Sequence, residues 1–287
     1  MKIPERLQPL LDDGLIDRVL RQLMSGKEAA VYVVECSTAD GVETRCAKVY
    51  KDAQQRSFRQ AVDYTENRKT KNSRQARAMS KGTAYGKKAR EEAWQSAEVD
   101  ALYRLAAAGV RVPKPFNFLE GVLLMELVAD ADGNAAPRLN DVAFTADEAR
   151  RHHRTLLDEV IRMLLAGVIH GDLSEFNILV AADGPVIIDL PQAVDAAGNN
   201  HAKAMLERDV TNLANYFGRF APELIGTAYG RELWSLYERG LLEVGMPLTG
   251  RVEVARGRVD LHGLMDEIED ARFEEEARQV RMAQPDR

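Results

Sequence analysis

Asp172, Asn177 and Asp189 are the residues of this chain whose types and spacing could do chemistry. They stand in His170-Gly171-Asp172-Leu173-Ser174-Glu175-Phe176-Asn177, with Asp189 twelve residues beyond Asn177 at the end of an apolar run. An acid, an amide five positions on and a second acid after a return of the chain suit phosphoryl transfer. In that chemistry Asp172 accepts or orients an attacking hydroxyl, Asn177 gives an amide oxygen to a metal ion, and Asp189 gives a carboxylate to the metals that bridge the phosphates. Hard oxygen ligands suit magnesium. A purely architectural reading has Asp172 and Asn177 capping turns between two buried strands, Ile178 to Val180 and Val186 to Ile188, joined at Asp183-Gly184.

Such a site needs elements that bring cations and N–H groups to phosphates. Ala47-Lys48-Val49 sets a lysine between apolar neighbours on a β-prone run, from which its ammonium would reach the α- and β-phosphates. Its carboxylate partner is expected from a helix over 90–108, rich in Ala, Glu and Leu and stopped by Gly109. On that helix Glu98 shares a face with Leu102 and Leu105, whereas Glu91 and Glu92 read as solvated first-turn charges.

Ahead of Lys48, the small-residue loop Ser25, Gly26, Lys27 and Glu28 precedes a strand from Val31 to Cys36, a turn at Ala39-Asp40-Gly41 and a returning strand through Val49. The loop would turn backbone N–H groups toward phosphate oxygens, although it is neither GxxxxGK[ST] nor GxGxxG. Residues 116–128 predict another hairpin about Glu120-Gly121. Its second strand would offer the carbonyl and N–H groups of Glu126 and Val128 to an adenine edge, with Met125 lining the pocket. The polar stretch Ala129 to Asn134 would then be a hinge between lobes.

Elsewhere, Leu7, Leu10, Leu11, Leu15, Ile16, Val19, Leu20 and Leu23 follow a near-3.6 period, which predicts short helices over 5–24 serving as a docking element. After the hinge the chain turns helical. Thr145 heads a helix with Leu156, Leu157, Val160, Ile161, Leu164 and Leu165 on one face, and further helices are expected over Glu207 to Phe217, Glu232 to Leu242 and Leu261 to Met282. Ala221-Pro222-Glu223 follows the helix that begins near Asp209, so it is read as a chance match to the APE motif of ordinary kinases.

At 287 residues and 45% hydrophobic the chain can bury a sizeable core and predicts two lobes. No run approaches the roughly 18–20 apolar residues of a membrane span, and MKIPERLQPL lacks a signal-peptide core, so a cytoplasmic protein with no membrane partner is expected. Cys36 and Cys46 read as two small core residues. A net charge of −6 argues against general nucleic-acid binding, yet Arg45 to Arg90 carries fourteen Lys or Arg against three acids. That stretch reads equally as a solvated loop or as a contact for RNA or phosphate.

SGKEAAVY, CAKVYK, LLMELV, DGNAAPRLND, IHGDLSEFNILV, IIDLPQAVD and ERDVTNLANYF together resemble the RIO family of atypical serine/threonine kinases, over roughly residues 20–225. The resemblance implies an α+β, two-lobed protein-kinase-like fold lacking the extended activation segment and peptide-binding subdomains. It implies segments of 1–24 (N-terminal helical element), 25–128 (nucleotide-binding lobe with a flexible basic loop at about 52–90), 129–242 (catalytic lobe) and 243–287 (charged extension). Position by position it makes Lys48 the ATP lysine, Glu98 its partner, Asp172 the catalytic acid, Asn177 and Asp189 the metal ligands and Ser25 to Glu28 the phosphate loop. ATP with magnesium, or manganese in its place, would be the cofactors. The acceptor would be protein, including the chain itself, and a ribosomal precursor or RNA would be met through the basic stretch. Two alternatives are an ATPase switch on a ribonucleoprotein working through phosphate on Asp189, and a small-molecule kinase of the aminoglycoside type. Gly171 inside the HxD triplet, the long basic loop and the charged C-terminus depart from the family pattern.

Overall fold

Val31, Val33, Val34, Val42, Thr44 and Val49, with Tyr32 and Tyr50, draw 29–50 into two strands. β2 (Ala29–Thr38) and β3 (Gly41–Tyr50) pair antiparallel from Ala29↔Tyr50 to Thr38↔Gly41, with the expected turn at 39–40. The computed structural model describes residues 3–26, 28–51 and 97–251. Lys27, most of the basic stretch, Glu91, Glu92 and the helix expected over Leu261–Met282 lie outside the described residues.

β3 pairs on its other side with β5 (Val122–Glu126), and β5 with β4 (Pro115–Leu119), so the predicted hairpin about Glu120-Gly121 forms. The sheet order is β1-β2-β3-β5-β4, where β1 is Arg18–Ser25. Here the expectation of one or two short helices over 5–24, broken near Gly14, holds only ahead of Gly14. Only α1 (Gln8–Asp12) and a preceding 3-10 turn are helical, and Gly14 (φ 68) turns the chain into a strand that pairs with β2. Two register shifts fall between Val19 and Arg21 and between Gln22 and Met24. The part-buried positions Val19 and Leu23 lie four apart, a spacing that a strand of period two shares with a helix, which is why the apolar pattern misleads. Gly26 and Glu28 therefore lie between the paired strands of a β1–β2 hairpin. Leu7, Leu10 and Ile16 pack with Val34, Ala47, Val122 and Leu124 in a core of their own.

Helix α2, described over 97–107, ends as its Gly109 predicts: φ is 74 and the Val110 N–H donates to Leu105 O at 3.0 Å. Beyond the hinge, α3 (Ala146–Leu165) starts with a capping box between Thr145 and Glu148. α4 (Ala202–Phe217) and α5 (Tyr229–Glu238) complete the helical part, together with the hairpin of β7 (Ile178–Ala181) and β8 (Gly184–Ile187) and the short pair β6 (Val168–Ile169) and β9 (Val194–Asp195). The β7–β8 turn falls at 182–183, one residue before the expected Asp183-Gly184. One core unites Leu102 and Leu105 of α2 with the apolar faces of α3 and α4. Glu232 on α5 accepts the N–H groups of Thr249 and Gly250, which ties the segment after α5 back to that helix. Among the described residues no helix is long and apolar enough to cross a membrane. Cys36 and Cys46 are buried, and burial pushes the Cys46 thiol up to about 12, which fits inert core residues.

His153 on α3 is buried between the rings of Phe217 and Tyr229, at centroid distances of 5.9 and 5.5 Å. Burial, with Arg154 adding to it, pushes its pKa down to about 4. The folded state thus favours the neutral ring. Its contribution to stability is complete above the unfolded value near 6.5 and is lost as pH falls toward 4, at up to about 1.4 kcal/mol per pH unit. His153→Phe should flatten the loss of urea-unfolding free energy between pH 7.5 and 5. Equal losses in variant and wild type would show that other groups set the acid sensitivity.

Candidate active site

Period two on β3 points Lys48 and Tyr50 to one face of the sheet, toward α2. Lys48 Nζ donates to Glu98 Oε1 at 2.5 Å and to Asp189 Oδ1 at 3.1 Å. Sequence separations of 50 and 141 are closed at one ammonium. Burial alone would lower the Lys48 pKa, but the carboxylates of Glu98 and Asp189 outweigh it and hold the ammonium above its usual value. Glu98 is only 4% exposed, so its charge depends on this partner.

Asp172 and Asp189 are exposed. Asn177 Nδ2 donates to the Asp172 carbonyl at 2.9 Å and approaches its Oδ2 at 3.5 Å, so the amide oxygen is the atom left to act on a cation. Asp189 takes a left-handed conformation (φ 67) directly after β8, a strained geometry that turns its carboxylate out of the strand's line. The Ile188 N–H donates to Asn177 O at 2.9 Å, tying together the two segments that carry the proposed metal ligands. One carboxylate and one amide oxygen are too few to cage a metal, and among the described residues no three His, Cys, Asp or Glu side chains gather for one. Such a donor set fits magnesium-like ions, which complete their shell with waters and phosphate oxygens.

The loop carrying Asp172 is held from below. Asp209 on α4, 2% exposed, accepts the Gly171 N–H at 2.8 Å on one oxygen and the Leu173 N–H at 3.1 Å on the other. Burial raises its pKa, while His170 and the two N–H groups pull it back. Arg208 donates to the Gly171 carbonyl and Asn212 to the Leu173 carbonyl. His170 Nδ1 accepts the Asp172 N–H at 3.3 Å, which assigns its proton to Nε2, within 3.1 Å of Ile188 O. Gly171 has φ 80, and a Cβ there would lie 2.6 Å from Gln192 O and from Met205 Cε. Only glycine fits.

The chain matches the family model described as RIO domain over residues 30–229. It is 34% identical over 229 residues to "RIO-type serine/threonine-protein kinase Rio1" of Haloferax volcanii, covering 80% of this chain and 71% of that one. The chain belongs to the RIO family. It is also 31% identical over 211 residues to human "Serine/threonine-protein kinase RIO1", covering 73% of this chain but 35% of the human one. With the Schizosaccharomyces pombe rio1 kinase the figures are 29% identity, 74% and 41%, so the chain spans well under half of these eukaryotic relatives. RIO-type kinases are phosphotransferases, and this chain is a RIO-type serine/threonine kinase. Its family implies ATP, a divalent metal and a protein acceptor.

The remaining residues expected in this RIO site fall as follows. At the β1–β2 turn the Gly26 N–H donates to Ala29 O at 2.9 Å, closing the hairpin. Lys51 Nζ holds the turn through Ser25 Oγ at 3.1 Å and Gly26 O at 2.6 Å, and the Lys51 N–H donates to Glu28 O at 2.8 Å. Lys51 was not singled out from sequence, since a lysine just past a strand end carries no signal until the turn it reaches is known. Met125, Glu126 and Val128 lie at the end of β5 and just beyond it. Two of their backbone groups are engaged within the fold: the Glu126 N–H donates to Lys114 O and the Val128 carbonyl accepts from Ala136 N–H. That corrects the expectation that both groups of each residue face an adenine edge.

Proposed function

We propose that this RIO-type kinase transfers the γ-phosphoryl of magnesium-bound ATP to serine or threonine hydroxyls, its own among them. The meeting of Lys48 with both Glu98 and Asp189 carries the reading, since it unites the expected phosphate-binding cation with the expected metal ligand. In this assignment Lys48, oriented by Glu98, holds the α- and β-phosphates, and the turn of Ser25, Gly26 and Glu28, with Lys27, covers the phosphate tail. Met125 lines the adenine pocket, and the Glu126 carbonyl and Val128 N–H take the adenine edge. Asp172 orients the acceptor hydroxyl and takes its proton as the new O–P bond forms and the bond from the γ-phosphorus to the β–γ bridging oxygen breaks, with ADP as the leaving group. Asn177 and Asp189 hold magnesium, which when bound neutralises charge on the phosphate oxygens. Residues 190–201 between Asp189 and α4 are too few for a long activation segment, which favours acceptors brought by the protein itself over generic peptides.

A second reading is an ATPase switch on a ribosomal precursor or RNA, in which phosphate passes to Asp189. The fourteen basic residues between Arg45 and Arg90 favour it, because such contacts gain from counterion release. Incubation with γ-labelled ATP and magnesium separates the readings. Acid-stable phosphoserine or phosphothreonine is the expected product; a hydroxylamine-labile acyl phosphate supports the switch, and absence of protein label overturns the protein-kinase reading.

A further inference from the structure

Arg111, in the loop between α2 and β4, ties the end of β5 to the strand that leads to Asp189. Its guanidinium meets the Glu126 carboxylate in a two-pronged fork, Nη1 to Oε2 and Nη2 to Oε1, each at 3.0 Å. Nε and Nη2 also donate to Asp183 Oδ2 and Oδ1, in the β7–β8 turn, at 3.2 and 3.3 Å. The backbone of the same residue is used as well: its N–H donates to Glu159 Oε2 on α3 at 2.8 Å, and its carbonyl accepts the Ile187 N–H at 2.9 Å. Ile187 closes β8, two residues before Asp189. On the other side Glu126 Oε2 takes the Lys114 N–H at 3.0 Å, and the Glu126 N–H returns to Lys114 O at 2.8 Å.

An exposed Arg–Asp pair alone would hold little. What distinguishes Arg111 is that fork, backbone N–H and backbone carbonyl all act from one residue, on β5, on α3 and on β8. Nothing in phosphoryl transfer itself uses these groups. Their common effect is to fix the peptide at Glu126 relative to β8, whose end lies two residues before Asp189.

We propose that Arg111 is a positioning residue for the adenine end of the nucleotide site, acting through Glu126. The inference rests on the reading above, in which the Glu126 carbonyl and Val128 N–H take the adenine edge. Loss of the fork lets the β5 end shift while the phosphate end, fixed by Lys48 and Glu98, stays in place. Base recognition therefore weakens and phosphate recognition does not. Lysine is a poor substitute, because one ammonium cannot reproduce the fork.

The test measures binding of three probes by calorimetry with magnesium present: the β,γ-methylene analogues of ATP and GTP, and inorganic tripolyphosphate. Wild type should prefer the ATP analogue to the GTP analogue. Arg111→Met should weaken the ATP analogue by about tenfold and shrink that preference, with tripolyphosphate affinity held within about twofold. Arg111→Lys should fall between, and Asp183→Asn, which touches only the exposed arm and leaves the Glu126 fork whole, should stay within about twofold of wild type. If folded Arg111→Met keeps the wild-type ATP-to-GTP preference, or loses tripolyphosphate in equal measure, the inference is overturned and the nucleotide reading stands. A wild type that does not discriminate between the two analogues overturns the adenine reading and this inference with it. Should Arg111→Met fail to fold, the same ratio in Arg111→Lys decides.

Discussion

Asp172→Ala is expected to lower phosphoryl transfer by at least about two orders of magnitude, roughly 2.7 kcal/mol or more in barrier, while ATP still binds. The separation follows from what the side chain touches. The Asp172 carboxylate is exposed and makes no short contact with Lys48 or Glu98, and the loop is held through backbone groups of Gly171, Asp172 and Leu173. Removing the carboxylate thus takes away an acceptor for the hydroxyl proton and leaves the scaffold intact. Asp189→Ala should differ in kind, because it removes the proposed metal ligand together with one of the two carboxylates facing Lys48. Its expected signature is loss of magnesium-dependent nucleotide binding. Lys48→Ala should show a third pattern, since it strands Glu98, buried with one partner gone, and so lowers thermal stability along with activity. Near wild-type phosphorylation and hydrolysis by Asp172→Ala would remove it from the chemistry.

How much of this was legible in sequence depended on the range over which the signal acts. Lys48, Asp172, Asn177 and Asp189 stood out because spacing within a strand–loop–strand unit is local, and Glu98 because a helix face can be read from Leu102 and Leu105. β1 is hidden because its part-buried residues, Val19 and Leu23, lie four apart, a spacing common to strand and helix. The Glu126 N–H finds its partner in Lys114 O, just ahead of β4, and a partner contributed by another segment is not written in β5 itself. Gly171 looked like a departure from a motif. It is a demand of packing, made by Gln192 and Met205 from segments that sequence alone does not place beside it.

Asp209 illustrates the same limit with a larger consequence, and its substitution should reach the active site without touching a substrate. Its two oxygens accept N–H groups on either side of Asp172, from Gly171 and Leu173, in a site closed to water. Alanine would leave both donors buried without acceptors, at about 1–3 kcal/mol each before relaxation. Relaxation means movement of the loop, and a shift of about 1 Å in a positioned group can cost on the order of a hundredfold in rate. Asp209→Ala should therefore lose both stability and turnover, with phosphoryl transfer down by about two orders of magnitude. Asp209→Asn separates the two effects. Its amide oxygen can accept one N–H, while its amide nitrogen opposes the other, so about half of the stability loss should return and the loop should stay displaced at one end. ATP binding should survive in both variants, because Lys48, Glu98 and Asp189 are bonded independently of α4. Full-rate phosphorylation by a folded Asp209→Ala would show that the loop keeps its geometry without this anchor, and that Arg208 and Asn212 suffice to hold Gly171 and Leu173.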